Sequence, residues 1–317
     1  MSDIKNFTPI DVALLRRAAL DGLFLDIGEQ IEAVHPLESA MLGAVGLTGR
    51  GRPTYILRTP THNHIAQLRL DDTYAQITLI SPAPNPHQAD YAWLSLVDYL
   101  VYQAGRRGAH IIAVEVPIDH YCVSVFRSSH FSVYSRERLF RRDPKAPLTL
   151  PHQHEALMLR PTEDSDTFRL NALYTSLVPH LIQQVSPPLN GRWQGYTILL
   201  EGRVQGVLST ICAKGTVLVQ PYLHPELYDL VPYVLGQLLY TLPNTQIFVR
   251  IHAYQEWLRH TLEHDAGFVE HGRYVLMARH TVVHKHQPAF SAKSVLENMA
   301  LSPNIEVALE YRQEDRV

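Results

Sequence analysis

Apolar and polar residues follow one another along the chain in two series that have the same order. In the first series, helical spacing predicts helices at about 11–20, 91–104 and 121–128, and strand-like runs occupy 54–58, 64–70, 74–80 and 109–116. In the second series, the same patterns predict helices at 164–177, 227–239 and 255–264, and strands at 195–201, 204–213, 216–219 and 247–251. Pro232 lies inside the run 227–239, so that helix either kinks at the proline or begins there. Each series ends on one further strand. The chain is therefore predicted to contain one α/β unit twice.

The two terminal strands carry a repeated peptide. FSVYSRERLFRR (131–142) and FVEHGRYVLMAR (268–279) are 137 positions apart and share four of twelve residues: a phenylalanine, a leucine and two arginines, one of them at the last position of each peptide. Between the two series, DPKAPLTLPHQHE (143–155) contains three prolines and has no apolar periodicity, as expected of a linker. We therefore expect an N-terminal domain at 1–142, a linker at 143–155, a C-terminal domain at 156–286, and a helix with a charged tail at 287–317.

Composition narrows the class of protein. Of the 317 residues, 46% are apolar and 19% charged, which is typical of a soluble globular chain. A net charge of −3 gives no reason to expect nucleic acid or an anionic membrane as the main partner. The two cysteines, 90 residues apart, indicate a reducing compartment, and neither a leader peptide nor an apolar run of membrane-spanning length is visible. We expect a cytoplasmic protein.

The order of the doubled unit resembles the GNAT superfamily of acetyl-CoA-dependent N-acyltransferases. The residues that carry the resemblance are LVQP (218–221), IFVRI (247–251) and DAGFVEHGRYVLMAR (265–279), with LISP (79–82), IIAVEV (111–116) and SHFSVYSRERLFRR (129–142) in the first series. The resemblance implies an α/β (α+β) fold of two consecutive GNAT-like domains, each a mixed, mostly antiparallel sheet flanked by helices. It also implies acetyl transfer from acetyl-CoA to an amine, borne by a small molecule or a peptide.

The resemblance places the coenzyme against the fourth strand of a domain and the start of the next helix, where backbone N–H groups face the pyrophosphate. In the second domain, Val219 would bond the pantetheine arm through its backbone, and Leu223, His224 and Glu226 would approach the phosphates. The family's two glycines fall on Gln88 and Asp90 in the first domain, and on Leu227 and Asp229 in the second. These replacements would weaken coenzyme binding by about 3–4 kcal/mol. The alternative reading is that both aspartates cap their helices.

The resemblance also implies a proton donor four residues before the glycine of the Gly-Phe pair. Phe126 and Glu263 hold those positions. Glu263 and Tyr254 are therefore the catalytic candidates, in the second domain, although Tyr254, like Tyr121, also suits a purely structural role. The function implied is an N-acyltransferase-like protein with activity weak or confined to the C-terminal half. The alternative is a non-catalytic GNAT-fold scaffold or a protein that binds a ligand or partner.

Three other signals have plain explanations. HTLEH (260–264) matches an inverted zinc-protease pattern, but 18 histidines produce such pairs by chance, and we expect no metal. The basic stretch around 136–145 could contact phosphate or RNA, whereas a solvated strand edge is the commoner use of such charge. The segment 287–317 could pack on a domain or mediate homodimerisation, and the sequence leaves both open.

Overall fold

The computed structural model describes residues 4–32, 34–44, 52–71, 73–86, 91–185 and 193–281. The chain divides into two compact units, Met1–Val283 and His284–Val317, and every described element belongs to the first unit. Gln88, Asp90 and the C-terminal segment 287–317, each of which carried a prediction, lie outside the described residues.

The described residues form 13 strands. Seven belong to the first half of the chain: β1 (Ile4–Asn6), β2 (Leu23–Phe24), β3 (Thr54–Arg58), β4 (Asn63–Leu70), β5 (Tyr74–Ser81), β6 (Ile111–Pro117) and β7 (Ser132–Arg142). Six belong to the second half: β8 (Leu157–Pro161), β9 (Gly195–Leu200), β10 (Arg203–Ala213), β11 (Thr216–Leu223), β12 (Gln246–His252) and β13 (Val269–His280).

The described helices are divided unevenly between the two halves. Five belong to the first half: α1 (Val12–Asp21), α2 (Ile27–Ile31), α3 (Pro36–Ala44), α4 (Tyr91–Arg106) and α5 (Cys122–Ser128). Three belong to the second: α6 (Thr167–Leu177), α7 (His180–Val185) and α8 (Val231–Thr241). Short 3₁₀ segments at Pro9–Asp11, Asp164–Asp166, Pro225–Leu230 and Ala253–Leu258 and a π-helix at Thr261–Asp265 complete the described helical structure.

All strands join in one sheet, and the two halves exchange their last strands. The order is β1-β3-β4-β5-β6-β13-β7-β12-β11-β10-β9-β8, with β2 added to β5. The last strand of the second half, β13, pairs with β6 of the first half, while β7 of the first half pairs with β12 of the second. Most pairs are antiparallel, and β5–β6 and β11–β12 are parallel. The protein thus has a mixed α/β fold in which two equivalent halves are each flanked by helices, as predicted from sequence.

The repeated peptide pairs with its own copy. β7 and β13 run antiparallel, and Glu137 lies opposite Tyr274, which stands 137 positions later in the chain, the spacing of the repeat. The register thus relates the two halves by an approximate twofold axis that passes through this pair.

The exchange extends into the hydrophobic cores. Phe140 of β7 is fully buried in the second half's core, with Leu208, Val249 and Leu238 of α8. Met277 of β13 is buried in the first half's core, beneath α4. Since each core is completed by a strand from the other half, burial of apolar surface holds the two halves together.

The linker crosses the second half at α8. A Cβ atom at Gly236 would lie 2.0 Å from the carbonyl oxygen of Pro151, so only glycine permits this approach. Arg142 fixes the start of the linker, because its guanidinium donates to the carbonyl oxygens of Ala146 and Pro147, each at 2.9 Å. Residues 143–155 contain no helix or strand.

Two local predictions need correction. The helix expected at 255–264 is a 3₁₀ segment followed by a π-helix. Phe168 belongs to the apolar pattern that predicts a helix at 164–177, yet it is 85% exposed on α6. At Pro232 the second alternative is confirmed, because α8 begins at Val231 and the proline lies in its first turn, where a missing N–H costs no hydrogen bond.

Candidate functional site

In the second half, the parallel strands β11 and β12 separate and leave a gap. They pair from Thr216 and Gln246 to Val219 and Val249, and beyond that point they diverge. The side chain of Gln255 bridges the gap. Its oxygen accepts from the His252 N–H at 3.1 Å, and its nitrogen donates to the Pro221 carbonyl at 2.6 Å. One carboxamide therefore provides a hydrogen bond to one backbone group on each of the two facing strands.

In the first half, the corresponding gap between β5 and β6 is filled by main chain. These strands pair only from Tyr74 to Gln76, and β2 then lies beside β5. The Leu25 N–H donates to the Thr78 carbonyl at 2.8 Å, and the Glu115 N–H donates to the Leu25 carbonyl at 3.2 Å. We call residues 23–25 the plug, since they connect the two strands as a short extra strand would.

The length of one connection explains this difference between the halves. Five residues, 22–26, join α1 to α2, whereas two residues, 178–179, join α6 to α7. The longer connection can reach into the sheet and return. Asp26 ends it by capping α2, accepting from the Glu29 N–H at 3.1 Å.

A buried charged cluster lies where the two halves meet. Arg250 of β12 donates to Glu115 of β6 at 3.0 Å and to Gln220 of β11 at 3.0 Å, and its Nε lies 3.6 Å from Glu137 of β7. His252 Nδ1 lies 3.1 Å from Glu137 Oε1, and His252 Nε2 lies 2.8 Å from the Gln220 side-chain nitrogen. The cluster thus links four strands from both halves.

Burial shifts the acid–base properties of this cluster. It raises the pKa of Glu115 to about 7, although Arg250 opposes the rise. It also raises the pKa of Glu137, again against Arg250. Burial, with a smaller contribution from Arg250, lowers the pKa of His252 to about 3, so the imidazole is neutral. In a neutral ring Nε2 accepts from the Gln220 side-chain nitrogen, so Nδ1 carries the proton; its hydrogen-bond partner is the Ser135 hydroxyl at 3.4 Å, with Glu137 Oε1 3.1 Å away.

Some polar atoms of this region have no hydrogen-bond partner among the described residues. They are Glu137 Oε2, Arg250 Nε and the Tyr254 hydroxyl. The ring of Tyr254 stacks on His252, with centroids 5.4 Å apart, and burial raises the pKa of its hydroxyl. Tyr254 therefore lies beside the cluster at the gap between β11 and β12.

The second catalytic candidate lies in a different setting. Glu263 belongs to the π-helix, and its carboxylate accepts from Arg259 at 3.0 Å. Its side chain is about a quarter exposed. Whether Glu263 or Tyr254 acts in catalysis stays a prediction.

The predicted coenzyme residues Val219 and Leu223 lie within the sheet and core. Val219 pairs with Val249 on one side and Thr210 on the other, and Leu223 is buried with α8. His224 and Glu226 lie just beyond β11. His224 Nδ1 accepts from the Glu226 N–H at 3.3 Å, and the Glu226 carboxylate accepts from Gln205 at 2.6 Å. Their predicted contacts with coenzyme stay predictions.

The segment after β11 offers few backbone donors to a phosphate. Pro225 has no N–H, the Glu226 N–H is bonded to His224, and the Leu227 N–H donates to the His224 carbonyl at 2.9 Å. Leu227, at a predicted glycine position, is fully buried. The cap expected at Asp229 is not formed, because α8 has Leu230 at its N-cap with no side-chain hydrogen bond, and Asp229 is exposed inside the preceding 3₁₀ segment, which His224 caps.

An aromatic pair connects the segments that follow β11 and β12. The rings of Tyr228 and Trp257 have centroids 3.8 Å apart. They are 42% and 36% exposed, so the pair lies at the surface. It joins the two 3₁₀ segments above the gap that Gln255 bridges.

Sequence reasoning missed Glu115, Glu137, Arg250, His252 and Gln255 as a group. One signal was present, because Glu115 and Arg250 are single charged residues inside the apolar runs IIAVEV and IFVRI. A charge within a buried strand requires a partner. The two residues occupy the fifth position of seven-residue strands, and they are each other's partner.

The geometry gives little support to a zinc site at the HTLEH motif (260–264). The rings of His260 and His264 lie 4.7 Å apart, but the segment between them is a π-helix. Within the described ranges, no group of three or more His, Cys, Asp or Glu side chains is placed to hold a metal. Across the same residues, no helix has the length and apolar character needed to cross a bilayer.

Solved structures with the same fold identify the architecture. A GCN5-related N-acetyltransferase from Sphaerobacter thermophilus superposes with a TM-score of 0.54 at 13% identity, over 87% of this chain and 95% of that one. A tandem GNAT protein from the clavulanic acid biosynthesis pathway gives 0.53 at 14% identity, over 88% and 98%. No protein-family model matches the chain, and no curated protein matches its sequence. The chain therefore has the GNAT fold, and the resemblance predicted from sequence is confirmed at that level.

Proposed function

We propose that this chain is a non-catalytic GNAT-fold protein, a scaffold or binding protein whose two coenzyme gaps are closed by its own residues. The observation that carries the proposal is the plug in the first half. Leu25 donates to the Thr78 carbonyl and accepts from the Glu115 N–H, so it occupies the facing edges of β5 and β6, in the gap that corresponds to the one beside Val219 in the second half. Leu25 is also fully buried, so a ligand would have to displace core side chains as well as backbone.

The second half supports the same proposal with different groups. Gln255 occupies the facing edges of β11 and β12, and residues 225–227 have no unpaired N–H for a diphosphate. Each hydrogen bond that coenzyme must replace is worth roughly 0.5–1.5 kcal/mol. A diphosphate placed against backbone without free donors would also lose its water without compensation. The residues therefore do not fit acetyl-CoA.

The test is thermal unfolding with acetyl-CoA at millimolar concentration, beside an acetyl-CoA-binding GNAT enzyme as a positive control. We expect the control to gain stability and this chain to show no change in melting temperature. A ligand at about 100 times its dissociation constant adds roughly 2.7 kcal/mol, so binding would be visible. A saturable rise for this chain would overturn the proposal.

A second candidate function is acetyl transfer to an amine in the second half. It is favoured by one observation: side chains alone close that gap, and side chains can rotate. The unpaired Tyr254 hydroxyl and Glu137 Oε2 lie close to it. In this case acetyl-CoA would bind once per chain, in contact with Val219, Leu223, His224 and Glu226.

Titration calorimetry with acetyl-CoA distinguishes the two candidate functions. The second predicts a stoichiometry near one and thiol release when an amine is added, and a Tyr254→Phe, Glu263→Gln double variant should lose the thiol release while it keeps the stoichiometry. A variant of the first half, Thr78→Val, would leave both unchanged. Absence of heat at millimolar acetyl-CoA would exclude transfer.

A further inference from the structure

Arg250 lies between two carboxyl groups that the first half contributes. Glu115 accepts from its Nη1 at 3.0 Å, and Glu137 Oε2 lies 3.6 Å from its Nε. The side chains of Glu115 and Arg250 are 15% and 16% exposed, and that of Glu137 is 1% exposed. One cation and two carboxyl groups therefore share a largely buried volume.

Charge balance decides the protonation of this trio. A buried net charge is costly, whereas one carboxylate beside one guanidinium is neutral overall. The second carboxyl group is most stable with its proton, since two ionised carboxylates this close repel each other. His252, which contacts Glu137, is neutral and supplies no further charge.

The other groups that face the trio favour the retained proton or are neutral. Asp26 at the start of α2 pairs with Arg69 of β4, which also lies 3.5 Å from Asp71, and Asp26 adds to the rise in the pKa of Glu115. The surrounding tyrosines have pKa values raised by burial and stay neutral. They are Tyr74 of β5, Tyr134 of β7, Tyr222 of β11, Tyr254 and Tyr274 of β13.

We propose that Glu115 and Glu137 share one proton at neutral pH, and that release of this proton to solvent loosens the seam between the two halves. The seam comprises β6, β7, β12 and α2. The pKa of Glu115, raised to about 7, agrees with release near neutrality. The partial exposure of Glu115 and Arg250 gives the proton a route to water. This inference does not depend on the proposed function.

Loosening of the seam would affect the plug through the contacts of Glu115. Its backbone N–H holds the Leu25 carbonyl at 3.2 Å, and its carboxylate accepts from the Ile27 N–H at 2.8 Å. Ile27 in turn packs against Leu139 and Leu218. A shift of Glu115 therefore acts on both ends of the segment that fills the first gap.

Carbon-detected NMR of glutamate carboxyl groups tests the shared proton directly. In the wild type we expect one titration with a midpoint between about pH 6 and 8, well above the ordinary glutamate range. In Glu115→Gln or Glu137→Gln, the remaining carboxyl pairs with Arg250 alone, and this titration should disappear. The exposed control Glu155→Gln should retain it. Absence of a neutral titration in the wild type, or its persistence in both variants, would overturn the proposal.

Unfolding by urea tests the consequence for the seam. Between pH 4.5 and about 7 the folded Glu115 binds more protons than the unfolded one, so its contribution to stability falls as pH rises. The ratio of the unfolding constants, wild type over Glu115→Gln, should rise by up to about tenfold per pH unit in this window. Amide exchange in 23–31, corrected for intrinsic rates, should accelerate in the wild type over the same range. Parallel pH curves and unchanged exchange would contradict the proposal.

Discussion

At the scale of residues, His252 illustrates how the sheet forces a titratable group into one state. It is 3% exposed, its ring nitrogens are hydrogen-bonded to the Ser135 hydroxyl and the Gln220 side chain, and Arg250 is its neighbour on the same strand face. Protonation would bury a second cation next to the guanidinium. The imidazole must therefore remain neutral for the second half to stay folded.

We predict that His252 makes the protein sensitive to acid. Its pKa is about 3 when folded and 6.5 in the unfolded chain, so the unfolded state binds more protons between these values. Stability from this residue is complete above pH 6.5 and is lost as pH falls towards 3. Between pH 6.5 and 4.5 the wild type should lose about 2–3 kcal/mol relative to His252→Gln.

Urea unfolding at several pH values measures this difference, with the exposed His110→Gln as a control that should follow the wild type. Because the glutamate effect has the opposite sign between pH 4.5 and 6.5, the wild-type curve alone would be nearly flat. The comparison with the variant is therefore essential. Identical pH dependence in the wild type and His252→Gln would contradict the prediction.

At the scale of elements, the exchanged strands decide which core each side chain completes. Phe140 belongs to the first copy of the repeated peptide, yet it is fully buried against Leu208 and Val249 of the second half. Although β7 precedes the linker, it should therefore contribute to the stability of the second half, which follows the linker.

We predict that Phe140→Ala destabilises the protein by about 3–5 kcal/mol, because it leaves a cavity in a close-packed core. Amide protection should fall first in β9 to β12. The control Val269→Ala, on a residue 70% exposed on β13, should change stability by less than about 0.5 kcal/mol. Loss of protection mainly in β3 and β4 would show that the strand belongs to the first half.

The sequence predicted most long elements but not the exchange. Runs such as 109–116 and 247–251 identify buried strands through apolar content alone, and they were found. Peptides 131–142 and 268–279 have such similar patterns of apolar residues that the sequence does not indicate which half of the sheet each strand joins. Short elements such as the two-residue β2 carry too few positions to show a period.

The candidate site was less predictable, because its key contacts are long-range. Gln255 lies in a stretch that reads as an ordinary helix, and its role depends on where Pro221 and His252 end up. The family resemblance implied a coenzyme role for Val219, within the fourth strand of the second half, and for Glu226, just after that strand. It carried no information about the three additional residues between α1 and α2 that form the plug.

At the scale of the whole molecule, the continuous sheet joins the two halves into one cooperative folding unit. β13 lies between β6 and β7, and β7 lies between β13 and β12. Neither half can lose its strands without exposing the edge and core of the other. We therefore predict a single cooperative unfolding transition for residues 4–281.

Scanning calorimetry checks this prediction. The calorimetric and van't Hoff enthalpies should agree, as for one two-state unit. Phe140→Ala should shift the whole transition to lower temperature and leave it single. Two resolved transitions, of which only one moves in the variant, would mean that the halves unfold independently.

The twofold relation between the halves has a consequence for charge. In an assembly of two identical chains, the positions of Glu115 and Arg250 would carry the same side chain and would repel across the axis. Joining both copies in one polypeptide lets these equivalent sites diverge, and here they hold opposite ions 3.0 Å apart. Covalent fusion thus permits an attraction that symmetry would forbid.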